Sequence, residues 1–277
     1  MKKFKKMFVL SIVGLFMMVG LAGCEEDNSN MNNSQNESNS LSDEIPTESS
    51  TINDEIKSVE ELFEKVKEYN GKQDIIDSTS NVMMSSKTTL NGVVQEEAIK
   101  QYIDLKNVYI EQIDLIDDND FAFQKVNDEW IGVGGCGIDD SYTASIYGSI
   151  YEEAIRSFYI WNYPMETSYQ TYNVLTEDFI ENLKIESLND NGTGKLVFNS
   201  TEGVDIEIHN SYVPEVTPVI KLYEYNLEFK DYRIIREYIK GDAGYKYANG
   251  VEQQVGLITS ESLCEYNTNY EAKWLVK

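Results

Sequence analysis

The chain has 277 residues, of which 48 are Asp or Glu and 23 Lys or Arg, for a formal net charge of -25. A field this acidic repels nucleic acid and anionic lipid headgroups, so neither is an expected partner, and it favours a soluble, monomeric state. The length suits one medium domain with a tether, and the 19 Tyr and 12% aromatic content favour pleated, half-buried surfaces over a helical bundle.

In chain order, Lys2, Lys3, Lys5 and Lys6 form a positive start, and residues 7–20 follow without a charge. This is the layout of a secretory signal, and the apolar run is shorter than the ~20 residues a membrane span needs. Leu21, Ala22 and Gly23 then stand directly before Cys24. The arrangement resembles the lipobox of bacterial lipoproteins. The resemblance implies diacylglyceryl transfer to the Cys24 thiol, cleavage before it, and a mature chain anchored by lipid to the outer face of the cytoplasmic membrane. Loss of residues 1–23, with four lysines and no acid, takes the net charge from -25 to -29.

Residues 24–55 read as tether. They contain nine acids, no Lys or Arg, and long Ser/Asn stretches, too polar to bury a core. Self-repulsion extends such a segment beyond the ~30 Å of a neutral coil of that length.

The domain is expected over 56–277. Ser58 and Glu61 make a capping box, and Val59, Leu62, Phe63 and Val66 recur at helical spacing up to the stop at Asn70-Gly71. Period two follows. A strand is predicted over 82–90, turned at Asn91-Gly92, the strongest short hairpin signal, with a return from Val93. Ile103, Leu105, Tyr109, Ile113 and Leu115 share one parity and predict a single long strand, ended by Asp117-Asp118-Asn119-Asp120. Strands over 121–126 and 130–133, a helix around 150–158, a short helix over 177–183 capped by Thr176, and strands over 184–188 and 195–199 come next. Val204, Ile206, Ile208 and Tyr212 alternate with Asp205, Glu207, His209 and Ser211. Tyr223, Tyr225, Leu227 and Phe229 form another dry row, residues 232–239 return, and one or two more strands are expected over 245–277, with Trp274-Leu275-Val276 near its end. The fold class is α+β, built on an antiparallel meander.

A lipobox, an acidic tether, one N-terminal helix, long strands with the hairpin around Lys125-Val126-Asn127-Asp128-Glu129-Trp130, inserted helices and a second meander together resemble the extracytoplasmic lipoproteins of Gram-positive bacteria with a LolA/LppX-like domain. The resemblance implies a long curved antiparallel sheet, a half-barrel, with a few helices on its concave side and acyl chains between them. It transfers no catalytic residue. Independently, one or two helical stripes cannot cover eight to eleven strands, so the sheet curls on itself or keeps an apolar hollow. Whether side chains or a ligand fill that hollow is left open by the pattern.

Catalytic and metal chemistry find little footing. His209, the only histidine, is read on a wet strand face with neither nucleophile nor second metal ligand beside it. Asp117, Asp118, Asn119 and Asp120, with Asp139 and Asp140 further on, lack the spacing of a calcium loop and are explained by turn chemistry. The glycines of 132–137 and 241–244 do not match a phosphate loop and read as turns. With Cys24 lipidated, Cys136 and Cys264 remain as an extracytoplasmic pair, either bridged or two thiols. The expectation is a non-enzymatic envelope lipoprotein without cofactor or metal that binds an apolar or lipid-like ligand. The alternative is an interaction or sensor lipoprotein that holds an envelope partner through its sheet and acidic surface.

Overall fold

The computed structural model describes residues 56–96, 100–113, 120–135, 148, 151–152, 175, 177–207 and 216–276. They build one long, open antiparallel sheet of eleven strands. The chain enters through α1 (Val59–Asn70), where Glu61 N donates to Ser58 Oγ at 3.2 Å and Ser58 N to Glu61 Oε2 at 3.3 Å, the reciprocal cap expected from the sequence. The buried stripe of α1 is Val59, Leu62, Phe63 and Val66. At its end the Asn70 amide donates to Val66 O at 2.8 Å and to Tyr232 O at 3.0 Å, tying the helix to a sheet turn. A short second helix, α2 (Gln73–Ser78), has no counterpart in the sequence reading.

Strands β1 (Asn81–Leu90), β2 (Val93–Glu96), β3 (Lys100–Asp104), β4 (Tyr109–Ile113), β5 (Phe121–Val126) and β6 (Glu129–Gly135) form the first meander. After α3 (Glu177–Ile180), strands β7 (Lys184–Leu188), β8 (Gly194–Glu207), β9 (Val216–Lys230), β10 (Arg233–Tyr247) and β11 (Glu252–Tyr266) form the second. The order is β6-β5-β4-β3-β1-β11-β10-β9-β8-β7, with β2 on β1. The last strand therefore pairs with the first, and β6 and β7 are the two edges. Asn91 and Gly92, at φ 52° and 76°, turn β1 into β2 as a two-residue primed hairpin requires.

The main core covers one face, where α1 residues meet Ile103 and Ile110, Val82 and Met84, Cys264, Ile234, Leu227 and Leu196 from successive strands. Tyr151 and Leu175 join the same cluster, and the Trp130 and Tyr151 rings lie 5.2 Å apart. Tyr151 and Leu175 therefore lie on the face that carries α1.

Three expectations are corrected. The long strand through Ile103 and Ile113 is two strands. Asp104 accepts from Lys106 N at 3.0 Å and Asn107 N at 2.9 Å, folding a turn that the apolar spacing hid. Ile103 and Tyr109 consequently face opposite ways, Ile103 in the main core and Tyr109 in a second cluster. Tyr223 does not share the dry row of Tyr225, because it is an extra residue: Glu224 pairs with Lys240 but Leu222 with Gly241, a bulge that puts Leu222 inside. The glycines of 132–135 and 241–244 lie within β6 and β10 and are not turns. A Cβ on Gly241 would stand 2.6 Å from Lys221 O, and one on Gly134 would stand 2.1 Å from Trp274 Cδ2. They are glycines because another chain segment crowds them. The further strand expected after Tyr245 is β11, and residues 267–276 form none.

Those last residues form a strap across the opposite face of the first meander. Asn267 Oδ1 accepts from Ser80 N at 2.7 Å, Tyr270 OH donates to Glu111 at 2.7 Å, and Gln124 exchanges hydrogen bonds with Val276 at 2.8 and 3.1 Å. Tyr270, Trp274 and Leu275 pack on Tyr102, Tyr109 and Ala122 there.

Candidate functional site

Two buried glutamates mark the two faces, and their surroundings differ. Glu111, fully buried, accepts from Tyr109 OH at 2.7 Å, Tyr270 OH at 2.7 Å and Lys273 N at 3.1 Å. Burial and this carboxylate together raise the Tyr109 and Tyr270 hydroxyls well above the ordinary tyrosine value. Lys273 also pairs with Asp120. Three donors engage both oxygens of Glu111, and its work is to hold the strap.

Glu237 lies on the face that carries α1, in the middle of an apolar surface. It is 7% exposed, and among the described residues its one hydrogen-bond partner is Tyr225, whose hydroxyl donates to Oε1 at 2.7 Å. Burial pushes its carboxyl from 4.5 to about 7, only partly opposed by the tyrosine hydrogen bond. Tyr225 is fixed by the edge of Phe179 at 5.5 Å, which also meets Phe198 at 5.2 Å.

Register places hydroxyls beside this acid. Ser86 pairs with Ser262 and Ser262 with Glu237, so three polar side chains follow one another across β1, β11 and β10 on one face. One row further on, Thr88 pairs with Ser260 and bonds it, hydroxyl to hydroxyl, at 3.2 Å. Thr88 is fully buried and Ser262 5% exposed. The neighbouring rows are apolar, with Met84 and Cys264 on one side and Ile258 and Leu222 on the other. The result is a short polar strip, about 10 Å along the hydrogen-bonding direction for three strands at ~4.8 Å spacing, set in a greasy face.

Sequence reasoning did not single out Glu237. A bulge at Ile235, where Ile234 pairs with Phe229 but Arg236 with Glu228, lets Ile234 and Glu237 face the same way, and a strict alternation forbids that. The signal that was available is a carboxylate two residues from Ile239, on the same parity of a regular strand.

Of the residues that the sequence did nominate, Cys24, Cys136, His209, Asp117, Asp118, Asn119, Asp139 and Asp140 lie outside the described residues. Cys264 lies in the main core, 2% exposed, with a free thiol that burial pushes up to about 12. Its strand is five places from β6, whose last residue, Gly135, precedes Cys136. Among the described residues no three His, Cys, Asp or Glu side chains gather as a metal site, and no helix is long and apolar enough to cross a membrane.

With this geometry in hand, comparison with known proteins adds little. No family model and no curated protein matches the chain. Among solved structures it is similar to the lipoprotein LppX of Mycobacterium tuberculosis, at 11% identity and a TM-score of 0.31, over 77% of this chain and 99% of that one. It is similar also to a DUF1329 family protein from Desulfovibrio piger, at 6% identity and a TM-score of 0.15, over 80% and 98% of the two chains. Superpositions this loose carry no argument about function, which rests on the residues above.

Proposed function

We propose that the chain is a lipid-anchored, non-enzymatic protein of the bacterial envelope that holds an apolar or lipid-like ligand between its sheet, curved as a half-barrel, and the helices on the concave side. The reading is carried by a mismatch of areas. Ten strands in hydrogen-bonded succession make a face about 43 Å wide at ~4.8 Å per strand. The 12 residues of α1 make a rod about 18 Å long and ~10 Å across. Helix α3 adds four residues more. Apolar side chains run from Phe123 on β5 to Leu188 on β7, all of them buried, over a longer span than these two helices reach, so further chain segments such as those of Tyr151 and Leu175 close the same face, and apolar interiors with a few polar groups are where small apolar molecules bind. The anchor is supplied by Leu21, Ala22, Gly23 and Cys24.

Native mass spectrometry on the full chain purified from membranes tests this. A native mass above the denatured mass, with an acyl species in the organic extract, is the expected result. Equal masses, together with no uptake of a fluorescent acyl probe, would refute it.

A further inference from the structure

We infer that Glu237, Ser262 and Ser86 form the position that receives a hydroxyl-bearing polar end of the apolar ligand, the end of a glycerol-like molecule, with its chain on the rows beside them. The inference rests on the ligand-binding reading above and adds to it which part of the ligand is recognised and where.

The first observation is unused hydrogen-bonding capacity. Thr88 and Ser260 satisfy each other, and Tyr225 is spent on one oxygen of Glu237. The second oxygen of Glu237 and the hydroxyls of Ser86 and Ser262 meet no side-chain partner among the described residues, although Glu237 and Ser262 are both more than nine-tenths buried. No described side-chain oxygen is both sealed and unpartnered, so the free oxygen of Glu237 faces space that can take a donor. Buried polar groups find partners as a rule, and here the protein offers none.

The second observation is position. The three groups stand in consecutive register across β1, β11 and β10, between the Met84 and Cys264 row and the Ile258 and Leu222 row. Met84, Cys264, Ile258 and Leu222 are themselves closed over, and Thr88 and Ser260 stand between the strip and the Ile258 row, so an amphiphile with its polar end on the strip must part the Met84 and Cys264 row to seat its chain.

The donor set selects the chemistry. A carboxylate or phosphate on the ligand would meet Glu237, wherever it is ionised, as a like charge in a desolvated place, and an ammonium, which could donate to Glu237 and to both serines, would have to shed its hydration on an apolar face. A hydroxyl donates to the Glu237 oxygen and accepts from a serine. Two adjacent hydroxyls match the three groups.

The test is competition on the full chain between 1-monooleoylglycerol and methyl oleate, equal in chain and different in the polar end, read by native mass spectrometry. Wild type is expected to prefer monooleoylglycerol by about tenfold, the effect of one good hydrogen bond at ~1.4 kcal/mol per decade. In Glu237→Leu the preference is expected to fall to about one while methyl oleate binding persists, and in Ser262→Ala to fall part of the way. The serine variant carries the test if the leucine variant does not fold. Equal binding of both ligands by wild type, or an undiminished preference in both variants, overturns the inference and leaves the ligand-binding reading standing. Binding of neither ligand by wild type overturns both.

Discussion

Replacing Glu237 with Gln isolates the buried acid without changing its shape. Its carboxyl is moved by burial from 4.5 to about 7 in the folded chain, so between these values the folded state keeps a proton that the unfolded state has lost. Stability rises with pH where the unfolded state binds more protons, and here it binds fewer. The contribution of Glu237 is therefore fully present below pH 4.5, declines from there to about pH 7, and is lost above it. At ~1.36 kcal/mol per pH unit the decline amounts to about 3 kcal/mol, or roughly 6 to 12 °C in Tm for a domain of this size. Gln still accepts the Tyr225 hydroxyl, which stands 2.7 Å from Oε1, and has no proton to lose. Urea unfolding of both forms from pH 4.5 to 8.5 gives the comparison. The stability difference, variant minus wild type, is expected to rise by about 3 kcal/mol across the range. A difference that stays constant with pH would refute the buried, under-partnered acid at this position.

Other expectations follow from close contacts. Gly134→Ala places a Cβ 2.1 Å from the Trp274 ring, so the strap must lift at an overpacking cost of about 1 to 3 kcal/mol. Amide exchange over 268–276 should accelerate in that variant, and unchanged protection would show that the strap does not rest on Gly134. Asn70→Ala removes the bonds to Val66 O and Tyr232 O and leaves a carbonyl unpaired, for a loss of about 1 to 3 kcal/mol, measurable by thermal unfolding; an unchanged Tm would deny the tie between α1 and the sheet. Cys24→Ser should move the protein from the membrane fraction to the soluble one with its circular dichroism unchanged, and retention of a cleaved product in membranes would refute the lipid anchor. For the cysteines, Cys264 is a free thiol buried in the main core. Both Cys136 and Cys264 should therefore react as thiols once the Cys24→Ser chain is unfolded without reductant, and their failure to react would establish the bridge.

How much of this was legible depends on how far a residue's surroundings extend along the chain. Signals closed within a few residues survived intact: the Ser58 and Glu61 cap, the Asn91-Gly92 turn and the bounds of β5 and β7 are as the sequence states them. Most of what failed has its cause in another chain segment, the Asp104 turn being the local exception that the apolar spacing hid. The insertions at Tyr223 and Ile235 exist only relative to their neighbours across the ladder, and each exchanges inside for outside beyond it. Gly134 and Gly241 were read as turns because glycine is a turn residue, whereas their reason is the Trp274 ring and the Lys221 carbonyl.

The same cause governs the candidate site. Without the Ile235 bulge, Ile234 and Glu237 would face opposite sides, and the acid could join the core face only by turning Ile234 out of it. With it, both Ile234 and Glu237 are buried, and Tyr225 is brought within 2.7 Å of the carboxylate. A bulge that serves only packing has no need to bury an acid, and burial of this one raises its carboxyl to about 7. The insertion at Ile235 is therefore the device that sets a hydrogen-bonding group into an apolar face. Deleting Ile235 should straighten β10 and leave Ile234 and Glu237 two places apart, both still facing inward against Phe229 and Leu227, so the preference for monooleoylglycerol over methyl oleate should persist. A deletion variant that folds and loses that preference would show that the ligand reads the bulge itself and not the acid.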